Sequence, residues 1–247
     1  MVVSGFTRAL EVSFPVDIVL CVIRLKLRLQ QHESFSGHVP ERSAGRENVD
    51  PSGSLADCME LTPSLVAEKA TAYRTEEPLY AVESDHLEIL PKTFESGEYG
   101  RRDAQWPIRW YYRRHLGAFP DAKRRDAESR FRDNEFEAIK ERIEKARTAE
   151  SSTEAIEALT ELPAVDTGVA SAFLFFIAPS RYVAVGAREW QTLREAGKLD
   201  GPYPGDLSPA DYERYLGACR RVTARVDCDL WTLYRAMWRL SDDTASR

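Results

Sequence analysis

Apolar residues from Met59 onward recur at three-to-four spacing, and the polar residues between them carry helix start signals. Thr62 is placed to cap a helix whose first position is Pro63. Asp103 opens an aromatic helix running through His115, with Pro107 tolerated near its first turn. Asp133 opens a charged helix in which Phe136, Ile139 and Ile143 share a face, and Thr153 caps residues 154–162. Residues 169–177 are apolar on every side, so they are expected in the core. Ser208-Pro209-Ala210-Asp211 has the form of a capping box, and Asp229 caps residues 230–240. Residues 87–90 and 182–185 alone read as strands, and both are short. The pattern predicts an all-α fold with minor short strands.

Residues 1–58 read differently. The apolar stretch 16–29 is interrupted by Asp17, Arg24, Lys26 and Arg28, too short and too charged to span a membrane. It also lacks the order of a secretory signal. Residues 30–57 are rich in Ser, Gly, Glu, Arg and Pro, a disordered-linker composition. The expectation is a disordered tail or over-extended gene start over 1–58, the alternative being a targeting or interaction arm. A helical domain is expected over 59–247, with N-terminal helices in 59–150 and a second group in 151–240.

The chain has 247 residues, 30% of them charged and 43% hydrophobic, enough for a sizeable core. Its net charge of −6 excludes a generally basic, nucleic-acid-coating protein and leaves only local basic patches. Cys21, Cys58, Cys219 and Cys228 form no C-x-x-C pair, and with four His no zinc spacing emerges. Buried free thiols in a reducing cytosol are expected, with a Cys219–Cys228 contact as the alternative; neither metal nor cofactor is implied.

Candidate chemistry concentrates in two places. Trp106-Pro107-Ile108-Arg109-Trp110-Tyr111-Tyr112-Arg113-Arg114-His115 interleaves rings with arginines, a combination suited to base stacking and phosphate contact. The plainer reading buries Trp106 and Trp110 and leaves Arg109, Arg113 and Arg114 as a solvated or ion-paired face. Residues 121–132, with Lys123, Arg124 and Arg125, read as a solvated mixed-charge run. His115 at a helix end and His86 between Asp85 and Glu88 need no chemical role.

The second place is Leu162-Pro163-Ala164-Val165-Asp166-Thr167-Gly168-Val169-Ala170-Ser171, followed by the apolar segment and Tyr182-Val183-Ala184-Val185-Gly186-Ala187-Arg188-Glu189-Trp190. This stretch resembles the signature of the helix-hairpin-helix DNA glycosylases, the superfamily that includes 8-oxoguanine glycosylases, over roughly residues 150–240. The resemblance implies a hairpin that grips double-stranded DNA non-specifically through Ala164, Val165, Asp166, Thr167 and Gly168, helped by Arg109, Arg113 and Arg114. It also puts the family's nucleophilic Lys on Gly168 and its catalytic Asp on Gly186, so both reacting groups are missing. Glu189 and Asp166 are the nearest substitute carboxylates. The leading expectation is therefore a non-catalytic DNA-binding relative. The alternatives are an active glycosylase using other residues and a protein-interaction module that keeps only the fold.

Overall fold

The computed structural model describes residues 59–245, with side chains described through Ser241. The expectations for residues 1–58, Cys21 and Cys58 among them, lie outside the described residues. Ten helices follow one another in the described part: α1 Pro63–Glu76, α2 Tyr80–Ser96, α3 Arg101–Arg113, α4 Asp121–Arg132, α5 Phe136–Thr148, α6 Ser152–Thr160, α7 Thr167–Ile177, α8 Ala187–Glu195, α9 Pro209–Val226 and α10 Leu230–Ala245.

Every residue of α7 is buried, and helices α2, α3, α5, α6 and α9 pack around it. Its first half is small, Gly168 to Ala172, which lets neighbouring helices come close; its second half is bulky. Phe173 meets Phe131 of α4 at 5.5 Å, Phe175 meets Trp110 of α3 at 5.6 Å, and Phe176 meets Trp106 at 6.1 Å. Each such ring taken from water stabilises the fold by about 1.5–3 kcal/mol. The ends of the described chain also pack together, α1 along α10, with Tyr73 edge-on to Trp231 and Tyr234. Glu83 of α2 ties these layers. It accepts from the Tyr73 hydroxyl at 2.6 Å and the Trp110 indole at 2.7 Å, and burial raises its pKa.

The start signals transfer well. Thr62 caps α1 with Pro63 in its first turn, and Ser208 with Asp211 forms the capping box of α9. Asp229 accepts from the amide of Thr232 at the start of α10. Other boundaries move. Gly100 rather than Asp103 precedes α3, Asp103 instead accepting from the Gly100 amide. Glu135 rather than Asp133 precedes α5, and Ser151 rather than Thr153 caps α6.

No strand occurs among the described residues. Residues 87–90 lie within α2, where Glu83, Leu87, Leu90 and Phe94 are buried at helical spacing. Residues 182–185 are buried and irregular, and side chains take the place of a ladder. The Val183 carbonyl accepts from the Tyr212 hydroxyl at 3.1 Å, and the Ala184 carbonyl from the Tyr215 hydroxyl at 3.0 Å. The Val185 amide donates to Ser171 Oγ at 3.0 Å. Cys219 and Cys228 are free thiols, the first buried. No described helix is long and apolar enough to cross a membrane.

Candidate functional site

Helices α6 and α7 are joined by the turn 161–166. Amides of Leu162 and Val165 donate to the carbonyls of Leu159 and Leu162, and Asn134 Nδ2 reaches the Pro163 carbonyl at 3.3 Å. The left-handed residue of the turn is Ala164, with φ +69°, a backbone that costs an L-residue roughly 1–2 kcal/mol. Asp166 does not take that role. It sits in extended backbone at φ −85° and caps α7, accepting from the Val169 amide at 2.8 Å. Its carboxylate thus stands at the positive end of α7, where a phosphate would otherwise be favoured. The first-turn amides of Thr167 and Gly168 have no carbonyl partner within the helix.

A groove of about 660 Å³ runs between this turn and α4. The turn, Thr160 to Asp166, forms one wall, and Phe119, Lys123, Asp126 and Arg130 line the other. Beside it, a cavity of about 100 Å³ is bounded by Tyr111, Asp166, Thr167, Gly168 and the loop from Tyr203 to Leu207.

Helix α3 closes the space behind the hairpin. Tyr111 lies against Gly168 so tightly that a Cβ there would collide with its hydroxyl. Burial holds the Tyr111 pKa well above its ordinary value. One turn later, Arg114 is 1% exposed. Its Nη1 donates to Glu189 Oε1 at 3.1 Å, its Nη1 also reaches the Tyr234 hydroxyl at 3.4 Å, and its Nη2 reaches the Val185 carbonyl at 3.4 Å. The rings of Tyr111, Trp110, Trp238 and Tyr234 surround its guanidinium at 4.6, 5.1, 5.4 and 6.0 Å. Burial opposes the Arg114 charge, but Glu189, Tyr234 and Tyr111 outweigh it and raise the pKa. A Cβ at Gly186 would lie 2.5 Å from Arg114 Nη2 and 2.7 Å from Glu189 Oε2. The two glycines are therefore the floor of a filled pocket. Gly168 gives its Cβ space to Tyr111 of α3, and Gly186 gives its own to Arg114 just past the end of α3, with Glu189 sharing that place.

The sequence groups Arg109, Arg113 and Arg114 on one DNA-facing surface, and the structure separates them. Arg114 is in the core, held there by Glu189 and four rings. Arg113 is exposed but committed to Glu128 through both carboxylate oxygens at 3.0 Å. Arg109 is exposed and lies outside the groove lining. Glu189, a substitute carboxylate in the sequence reading, is 0% exposed and neutralised by Arg114. Asp166 is exposed and occupied as a cap.

Other residues come to the hairpin from outside the signature. Lys123 and Arg130, in a run that reads as a solvated face, reach the groove because α4 packs against α3 beside the turn. Tyr203 enters from a Pro- and Gly-rich connection, and Tyr111 hydrogen-bonds with it. Only the Tyr111-Tyr112 pair carried a legible signal, as rings between arginines.

No family model, curated protein or solved structure matches the chain.

Proposed function

We propose that this protein is a DNA-binding relative of the helix-hairpin-helix base-excision glycosylases in which the base-excision chemistry has been lost. The observation that carries the reading is the hairpin itself: a left-handed Ala164 between α6 and the buried α7, facing Lys123 and Arg130 across an open groove. A duplex backbone in that groove would meet the two cations Lys123 and Arg130, contacts that carry affinity without base sequence. The filling of the space at Gly168 and Gly186 supports the loss of chemistry, since an amine or carboxylate there has no room.

The test is a fluorescence-anisotropy titration of a labelled duplex at 50 mM salt. Lys123→Glu with Arg130→Glu should weaken binding at least tenfold. A specific observation favours the protein-interaction reading as second: Asp126, Glu161 and Asp166 also line the groove. Indifference of DNA binding to the Lys123 and Arg130 changes would pass the argument to that reading.

A further inference from the structure

A run of exposed positive charge also lies away from the hairpin groove. The outer arc of α9 carries Arg214, Arg220, Arg221 and Arg225, all exposed. They span about 17 Å of helix at about 1.5 Å per residue. Arg220 Nη2 donates to the Arg181 carbonyl at 2.9 Å, which joins exposed Arg181 to the same patch. Two of these cations have acidic neighbours: Arg214 pairs with Asp211 at 3.0 Å, and Arg225 approaches Glu60 at 3.9 Å. Arg181, Arg220 and Arg221 have no carboxylate within ion-pair distance among the described residues. By contrast, Arg113, Arg124 and Arg125 near the groove are all paired. Gly217 contributes to the arrangement, because its missing side chain leaves Arg221 Nη1 room to lie against the helix.

We infer that this face of α9, with Arg181, is a second nucleic-acid contact that holds backbone phosphates independently of the hairpin. Three like charges kept together without counter-charges in a chain of net charge −6 repel one another, and an anionic partner relieves that cost. The patch is built from guanidinium groups, whose planar forks match phosphate oxygens in pairs. It has no apolar anchor of the kind that dominates protein interfaces or inserts into lipid. Among the described residues, the exposed large hydrophobics Ile89 and Leu116 belong to α2 and to the connection after α3.

The experiment uses the full chain and a labelled 25-base-pair duplex, titrated between 50 and 200 mM KCl. Arg181→Gln/Arg220→Gln/Arg221→Gln should weaken binding at least tenfold at 50 mM. The slope of log K against log salt should fall by about two to three, since each duplex phosphate contact contributes close to 0.9. Arg221→Glu alone, at an exposed side chain without a hydrogen bond or ion pair to the described residues, should weaken binding several-fold and guards against misfolding of the triple variant. An unchanged affinity and slope in both variants overturns the proposal. So does equal, arginine-dependent binding of a polyglutamate peptide or of anionic phosphatidylserine vesicles, which would mark a general anionic or protein-binding face. Loss of binding in the α9 variants with none in Lys123→Glu/Arg130→Glu would support this contact while refuting the hairpin groove. The reverse pattern refutes this contact alone.

Discussion

Arg114 and Glu189 face each other at 3.1 Å with 1% and 0% of their side chains exposed, on the space that the sequence resemblance reserves for catalytic groups. An ion pair so removed from water gains its stability from geometry, because desolvation of both charges offsets most of their attraction. Here the four rings around the guanidinium supply the rest of the enclosure. Removing one partner strands the other. Arg114→Ala is expected to destabilise the protein by about 3–5 kcal/mol in urea denaturation, whereas Arg114→Met with Glu189→Leu should recover most of that loss. Equal instability of the single and double variants would mean that packing of the aromatic box, not charge pairing, dominates.

The glycines should be coupled to the side chains that lie on them. Gly186→Ala places a methyl group 2.5 Å from Arg114 Nη2, so a loss of about 1–3 kcal/mol is expected in thermal or urea unfolding. The same change made in Arg114→Met/Glu189→Leu should cost at least about 1 kcal/mol less. Additive losses would place the constraint at Gly186 in the backbone instead.

Introducing the reacting groups that the resemblance expects should not create chemistry. Gly168→Lys would have to displace Tyr111, and Gly186→Asp would bring a second carboxylate against Glu189. Borohydride trapping on abasic-site and 8-oxoguanine duplexes is expected to yield no adduct from the wild type, which lacks the amine. The double variant is expected to be less stable and equally inert in single-turnover cleavage. Product from the double variant would mean that the pocket opens to substrate despite its filling.

Much of the helical framework was legible because it rests on local signals: the Thr62-Pro63 start, the Ser208–Asp211 box and the apolar run that became α7. The same run marked the hairpin. What escaped depends on contacts distant in the chain. Arg114 reads like Arg109 and Arg113, and only the approach of α8 and α10 from more than seventy residues away turns it into a core side chain. Residues 182–185 look like a strand because their backbone is buried, but tyrosines of α9 satisfy that backbone. The arginines of α9 are visible in the sequence, yet the freedom of Arg220 and Arg221 from carboxylates is a property of the folded surface.

Glu77 and His115 should set opposing slopes of stability with pH. Burial, with Glu83 nearby, raises the Glu77 pKa from 4.5 to about 7 against the pull of Trp238, Arg239 and Arg188. Between those values the folded state keeps a proton that the unfolded chain releases, so this contribution falls as pH rises. Burial, with Arg114 and Arg188, lowers the His115 pKa from 6.5 to about 3. There the unfolded chain gains the proton first, so that contribution is lost as pH falls. Glu77→Gln should therefore be more stable relative to wild type at pH 8 than at pH 4.5, by roughly 2 kcal/mol in urea denaturation. A difference independent of pH would contradict the assignment.

The most direct measurement of the hairpin's role is duplex binding by Asp166→Asn at 50 mM salt, because a gain of affinity cannot arise from misfolding. Asparagine caps helices about as well as aspartate, so α7 should keep its start while the groove loses a negative charge beside the expected phosphate. Binding should tighten by about twofold to fivefold, with the gain shrinking as salt screens the charge. Unchanged or weaker binding by a variant that unfolds like the wild type would contradict a DNA backbone in the hairpin groove.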